Sequence, residues 1–250
     1  MADPAVSKKH RPPPPTNPKP SHIGTLNERS LHADLKSWYE EEGDRFEVPV
    51  EGFIADIVRG DLIIEIQTGS TSALRRKLAA LLARHPVRLA LPIAARKTIV
   101  RIDDLGRRTG MRRSPRRGDW IEVFGELISL RNLLGDPNLT VDVLLIHEEE
   151  IRCPTRRRRW KDWTVHDRRL VEVVDCVTFQ DPIDYLAFIP ASLEEPFTTG
   201  ELAAAIGRPQ SMAQKVAYTL RHLGSLRVVG KRGNAFLYER EIAISDPDET

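Results

Sequence analysis

The sequence predicts a mixed α/β chain that closes with a small helical unit, and three observations carry that reading. Short β-branched runs alternate with amphipathic helical patterns between residues 25 and 102, which points to a sheet covered by helices. After Phe197 the texture changes to Ala-rich helix followed by a basic hairpin. The length, 250 residues at 40% hydrophobic, is enough to bury a core of one large or two small units.

Seven of the 18 prolines fall in the first twenty residues, beside Lys8, Lys9, His10, Arg11 and Lys19, so residues 1–22 read as a disordered, basic, polyproline-like tail. From Thr25 a helical pattern runs to about Tyr39, with Leu31, Leu35 and Trp38 on one face, and Gly43-Asp44 ends it. Residues 45–50, 53–58 and 62–68 are separated by Glu51-Gly52 and Gly60-Asp61 and read as a three-stranded meander. Thr71 or Ser72 is placed to cap a helix reaching about Arg84, with Leu74, Leu78, Leu81 and Leu82 as its core stripe. Strands are expected at 87–93 and 98–102, a helix at 119–134, strands at 140–146 and 170–179, and a short helix at 182–188 before a linker at 190–196.

The near-zero net charge, 38 Lys+Arg against 36 Asp+Glu, hides strong local bias. Residues 106–118 hold six arginines and no acid, and residues 152–169 hold eight basic residues together with Trp160 and Trp163. Clustered arginine favours a phosphate-bearing partner. No apolar run approaches the roughly 20 residues of a membrane span, and no signal-peptide core is present, so a cytoplasmic protein is expected. Cys153 and Cys176 are too few for a disulfide framework or a zinc site. His32, His85, His147, His166 and His222 lack ligand spacing and read as structural or surface residues. P-loop, GxGxxG and GxSxG motifs are absent, which removes support for nucleotide-driven, dinucleotide and serine-hydrolase chemistry.

The chemistry-bearing stretch is IADIVRGDLIIEIQT. A two-residue turn at Gly60-Asp61 pairs Arg59 with Leu62 and sets Asp56 opposite Glu65, with Gln67 facing the same side. Two carboxylates opposed across a hairpin repel unless a cation sits between them, and Mg²⁺ prefers such oxygen ligands. An acid, a spacer and Glu-x-Gln at the end of an apolar strand, with a helix on either side, resembles the PD-(D/E)XK nuclease superfamily over residues 25–102. That resemblance implies a restriction-endonuclease-like mixed-sheet α/β/α core and hydrolysis of DNA phosphodiester bonds with Mg²⁺ or Mn²⁺. Carried over by position, Asp56 and Glu65 would hold metal, Ile66 would add its carbonyl, and Gln67 would stand where lysine is usual, with Glu28 as an added acid on the first helix. The proline usual before the first acid is absent here, since Ile54-Ala55 precede Asp56; Lys77 on the next helix could supply the missing lysine, while Arg75, Arg76 and Lys77 read equally well as that helix's solvated or phosphate-facing side.

The C-terminal segment, through TTGELAAAIG, SMAQKVAYTLRHLG and VVGKRGNAFLYE, resembles the winged-helix superfamily. The resemblance implies that Gln210, Ser211, Gln214, Lys215 and Tyr218 face a major groove, with Lys231, Arg232 and Asn234 at the wing. Arg107, Arg108, Arg112, Arg113, Arg116, Arg117, Arg156, Arg157, Arg158 and Arg159 would add sequence-independent affinity for DNA. The expected organisation is a tail (1–22), a nuclease-like domain with Arg-rich insertions (23–189) and a winged helix (190–250), resembling uncharacterised bacterial proteins. A homodimer fits a double-strand cutter. The alternatives are a catalytically inactive DNA-binding regulator with the same fold and a scaffold whose winged helix binds protein.

Overall fold

The structure is a computed structural model and describes residues 30–155 and 163–241. The N-terminal tail, Glu28, the start of the first helix at Thr25, and Arg156, Arg157, Arg158 and Arg159 lie outside the described residues.

Helix α1 (Ser30–Tyr39) is followed by the expected meander, β1 (Arg45–Val50), β2 (Phe53–Arg59) and β3 (Leu62–Ile66), paired antiparallel in chain order. Its turns need left-handed backbone: Glu51 and Gly52 sit at φ +49° and +78°, and Gly60 at φ +57°. Helix α2 (Leu74–Leu82) then crosses over to β4 (Val87–Ile102), which lies parallel to β3, as such a pairing requires. Strand β5 (Arg108–Arg113) folds back antiparallel on the distal half of β4. Helix α3 (Phe124–Leu130) leads to β6 (Leu139–Pro154), parallel to β4, and β7 (Trp163–Phe179) closes the far edge antiparallel to β6. The sheet order is β1-β2-β3-β4-β6-β7, with β5 on β4.

Two apolar clusters cover the two faces of this mixed sheet. On one, Leu31, Leu35 and Tyr39 of α1 pack on Ile57, Ile64, Ala90, Leu144 and Ile146. On the other, Leu78 and Leu81 of α2 and Phe124 and Leu127 of α3 pack on Ile63, Leu89, Val141 and Val143. The second cluster continues without a break into the C-terminal unit, formed by α4 (Thr199–Ile206), α5 (Gln210–His222) and the hairpin β8 (Leu226–Arg232) and β9 (Ala235–Arg240). Leu202, Ile206, Val216, Ala217 and Leu220 belong to it, and Arg208 pairs with Asp119 beside α3. Thr198 and Glu201 form a reciprocal capping box at the start of α4, and Gly207 closes it at φ +63°.

Several elements differ from the sequence reading, each for a physical reason. The two strands expected at 87–93 and 98–102 are one strand, because a bulge at Ala94–Arg96 absorbs the irregular Ala-Ala-Arg segment. The arginine run at 106–118, to which the sequence assigns no element, contains β5, whose side chains are largely exposed and so carry no apolar alternation. The helix expected at 119–134 is a 3-10 turn at Trp120–Val123 followed by the shorter α3. Neither Thr71 nor Ser72 caps α2, which starts at Ala73 without a side-chain cap; Thr71 Oγ1 instead donates to the Glu126 carbonyl at 2.9 Å. β6 and β7 run well beyond 140–146 and 170–179. The added part of β6 carries Glu148 and Glu150, buried because Lys97 reaches both at 2.9 and 2.7 Å and Arg152 pairs with Glu150.

Candidate functional site

The Gly60 turn sets the register Arg59↔Leu62, Val58↔Ile63 and Ile57↔Ile64, as the sequence predicts. Continued by one residue, that register carries Asp56 to the level of Glu65, where the ladder stops. The next rung is made by a side chain: the Ile66 N–H donates to Asp56 Oδ2 at 2.8 Å, where a backbone carbonyl of β2 would otherwise accept it. Ala55 and Ile57 should share a face by the period of two, yet they belong to opposite apolar clusters. The alternation of β2 therefore breaks at Asp56, and the break brings its carboxylate into the fork between β2 and β3. Ile66 turns its carbonyl to the same strand edge as its N–H, so that oxygen also borders the fork.

Both helices flanking the meander send a cationic or imidazole group to these acids. His32 Nε2 on α1 lies 3.2 Å from Asp56 Oδ2. Lys77 on α2 donates to Glu65 Oε2 and, at 2.6 Å, to the Ile54 carbonyl. Glu65 is only 2% exposed, and its Oε1 is buried with no hydrogen-bond partner among the described residues. Burial, and then the negative charge of Asp56, push the Glu65 carboxyl up to about 7 against the pull of Lys77. Asp56 is shifted the other way. Burial works to raise it, but the His32 contact, the Ile66 N–H and the Lys77 charge together hold it below the usual carboxylate range.

Two carboxylates with opposite shifts share one fork, and the geometry leaves a buried oxygen of one of them without a donor. Asp56, Glu65 and the Ile66 carbonyl are hard oxygen donors of the kind Mg²⁺ and Mn²⁺ take, so the residues present fit a divalent ion. Among the described residues no group of three or more His, Cys, Asp or Glu side chains converges, so water would complete the coordination, as Mg²⁺ favours.

Not every residue singled out by sequence stands in this fork. Gln67 follows β3, but its side-chain amide donates to the Ser70 carbonyl at 2.9 Å. Lys77, offered by the sequence either as a substitute lysine or as part of a solvated face, lies beside Glu65. His32, read from sequence as structural or surface, is at the site. In sequence it falls four residues after Glu28, the acid singled out for the first helix, and that helical spacing is the signal that could have found it.

The residues expected on DNA fall into three groups. On α5, Gln210, Ser211, Gln214 and Tyr218 are exposed along one side, whereas Lys215 leans toward Gly125 of α3 and is partly covered. Lys231, Arg232 and Asn234 are exposed at the hairpin tip, with Arg232 paired to Glu201 at 2.6 Å. Arg108, Arg112 and Arg113 lie on β5, Arg107 precedes it and Arg117 follows, all exposed; Arg116 pairs with Glu122 at 2.9 Å. Because β4 and β6 are parallel with Arg101 opposite Arg152, the β4–β5 hairpin and the distal ends of β6 and β7 lie at one end of the sheet. The fold thus gathers arginines from two segments far apart in sequence. No helix among the described residues is long and apolar enough to cross a membrane.

Comparison with known proteins adds relatives but no activity. A protein of Treponema pallidum (strain Nichols), described as an "Uncharacterized protein", is 31% identical over 225 residues, 88% of each chain. No solved structure matches the chain. The family described as Domain of unknown function (DUF8091) matches residues 29–180, which run from α1 through β7 and leave the C-terminal helices and hairpin outside. That span is more than half of the sequence, and the chain belongs to the DUF8091 family.

Proposed function

We propose that this protein is a metal-dependent DNA endonuclease with a restriction-endonuclease-like PD-(D/E)XK core (residues 23–189), placed on DNA by a C-terminal winged helix (190–250). The observation that carries the reading is the fork itself: Asp56 and Glu65 meet at a broken ladder, and Glu65 keeps a buried oxygen that none of the described residues donates to. The α/β/α layering and the helix-meander-helix-strand order around it support the same reading.

In this reading Asp56, Glu65 and the Ile66 carbonyl hold Mg²⁺ or Mn²⁺, and a bound ion supplies charge to the scissile phosphate and lowers the pKa of a water. The chain's own groups do the rest. His32 orients the Asp56 carboxylate from α1. Lys77, which donates to Glu65 and to the Ile54 carbonyl, would take the part of the superfamily lysine from α2 and not from position 67, orienting the attacking water. Gln67, turned to Ser70, braces the segment that leaves β3. The exposed side of α5 and the β8–β9 hairpin supply the groove contacts, and the arginines of β5 add phosphate contacts.

One observation favours a second reading, an inactive DNA-binding regulator. Lys77 already pairs with Glu65 and partly offsets the charge that a metal would neutralise. Cleavage of labelled linear, single-stranded and branched DNA with Mg²⁺ or Mn²⁺, wild type beside Asp56→Ala and Glu65→Ala, separates the two. The endonuclease cuts at least one substrate only with metal and loses the cut in both variants. Salt-sensitive DNA binding without any cleavage supports the regulator.

A further inference from the structure

Between α5 and the β8–β9 hairpin lies a cleft of about 340 Å³, lined by Thr199, Gln210, Gln214, Asn234, Phe236 and Tyr238. It is polar at its rim and aromatic on one wall. Three carboxamides enter it, and among the described residues neither Gln214 nor Asn234 makes a side-chain hydrogen bond, while Gln210 has only a 3.5 Å contact to Thr199 Oγ1. Phe236 is 42% exposed although it is a large apolar side chain on a paired strand. Its ring meets the Tyr238 ring edge-on at 6.5 Å, and Lys231 Nζ lies 4.9 Å from its centre.

Each element of this set has the same chemical complement. A carboxamide presents one donor and one acceptor side by side, which matches the edge of a nucleobase. An exposed aromatic ring offers a stacking face on the side that the Lys231 ammonium, which lies over the ring, leaves open, and that ammonium attracts the phosphate that a stacked nucleotide brings. A part-exposed Phe ring in the cleft lining, with the α5 carboxamides beside it, suits a base that has left the stack. The volume lies toward the lower end of the roughly 300–1,000 Å³ found for small-ligand sites.

We propose that this cleft holds one unpaired nucleobase, so that the C-terminal unit selects DNA containing a bulged, flipped or overhanging nucleotide. The proposal rests on the reading of the protein as DNA-acting and names its substrate class more narrowly. Phe236 stacks on the base, Gln214 and Asn234 address its edge, and Lys231 meets the adjoining phosphate.

The test is anisotropy with labelled duplexes in EDTA, which blocks metal-dependent cleavage. Three DNAs are compared: a fully paired duplex, the same duplex with a one-nucleotide bulge, and the same bulge with an abasic site. The bulge should bind about tenfold more tightly than the paired duplex, the effect expected of one base stacked on a ring, and the abasic bulge should lose that gain. Phe236→Ala should abolish the preference, Phe236→Trp should retain it and Gln214→Ala should reduce it, with circular dichroism confirming that each variant is folded. Equal affinity for the paired and bulged duplexes, equal affinity for the bulge and its abasic form, or a preference untouched by Phe236→Ala overturns the proposal while leaving the DNA-acting reading in place. Absence of binding to every DNA overturns both.

Discussion

Replacing Glu65 by Gln should make the protein more stable at neutral and alkaline pH, and the gain should grow with pH. The folded-state carboxyl titrates near 7, against an ordinary 4.5, because it is buried beside Asp56. Below about pH 4.5 it is protonated in both folded and unfolded chains and imposes no pH-dependent cost. Between 4.5 and 7 the unfolded chain releases the proton while the folded chain keeps it, so the folded state binds more protons and stability falls as pH rises. Above 7 the full cost is present. At about 1.4 kcal/mol per pH unit of separation, that cost is at most about 3.5 kcal/mol. Glutamine keeps the shape and does not titrate. The attraction of Lys77 for the ionised carboxylate is already contained in that value near 7, so it needs no separate allowance. Urea unfolding of wild type and Glu65→Gln at pH 4.5, 6, 7 and 8 reads the effect: the variant's advantage over wild type should widen by about 2–3 kcal/mol from pH 4.5 to 8. A difference that stays flat, or that shrinks with pH, refutes the picture of a carboxylate buried beside a second one.

Three further outcomes follow from the same contacts. Lys77→Met removes the cation from a nearly buried partner and should cost about 3 kcal/mol at pH 8 but much less at pH 5, where Glu65 is protonated, again measured by urea unfolding. Asp142, 2% exposed, accepts from Tyr39 Oη at 2.9 Å and Thr178 Oγ1 at 2.7 Å and pairs with Arg88 at 3.2 Å, so Asp142→Ala should cost about 3–5 kcal/mol and lower the thermal midpoint sharply. Changing Arg108, Arg112 and Arg113 to Ala together should flatten the dependence of log K on log salt by up to about 3, roughly 0.9 for each lost phosphate contact, in anisotropy titrations at several salt concentrations.

The meander and its register were legible because turn chemistry is local. Glu51-Gly52 and Gly60-Asp61 announce their turns, and the second fixes which residues of β2 and β3 face each other. The same holds for α4, whose Thr198–Glu201 cap and Gly207 stop are written in the sequence. The distal sheet was not legible for the converse reason. β5 and the outer half of β6 are stabilised by pairing and by charge, with Glu148 and Glu150 held by Lys97 and Arg152, so apolar alternation does not mark them. At the candidate site, Asp56 and Glu65 follow from the turn alone. The break at Asp56, which turns a facing pair into a fork, needs the two opposed cores before it is visible, and so does the arrival of His32 from α1.

The proposed function requires that Asp56 and Glu65 together hold a divalent ion. Mn²⁺ binding followed by electron paramagnetic resonance, on wild type, Asp56→Asn and Glu65→Gln at pH 8, tests it without reliance on any substrate. One Mn²⁺ per chain is expected in the wild type, displaced by excess Mg²⁺ and lost in both variants. Absence of a bound ion in the wild type, or binding that survives both substitutions, contradicts it.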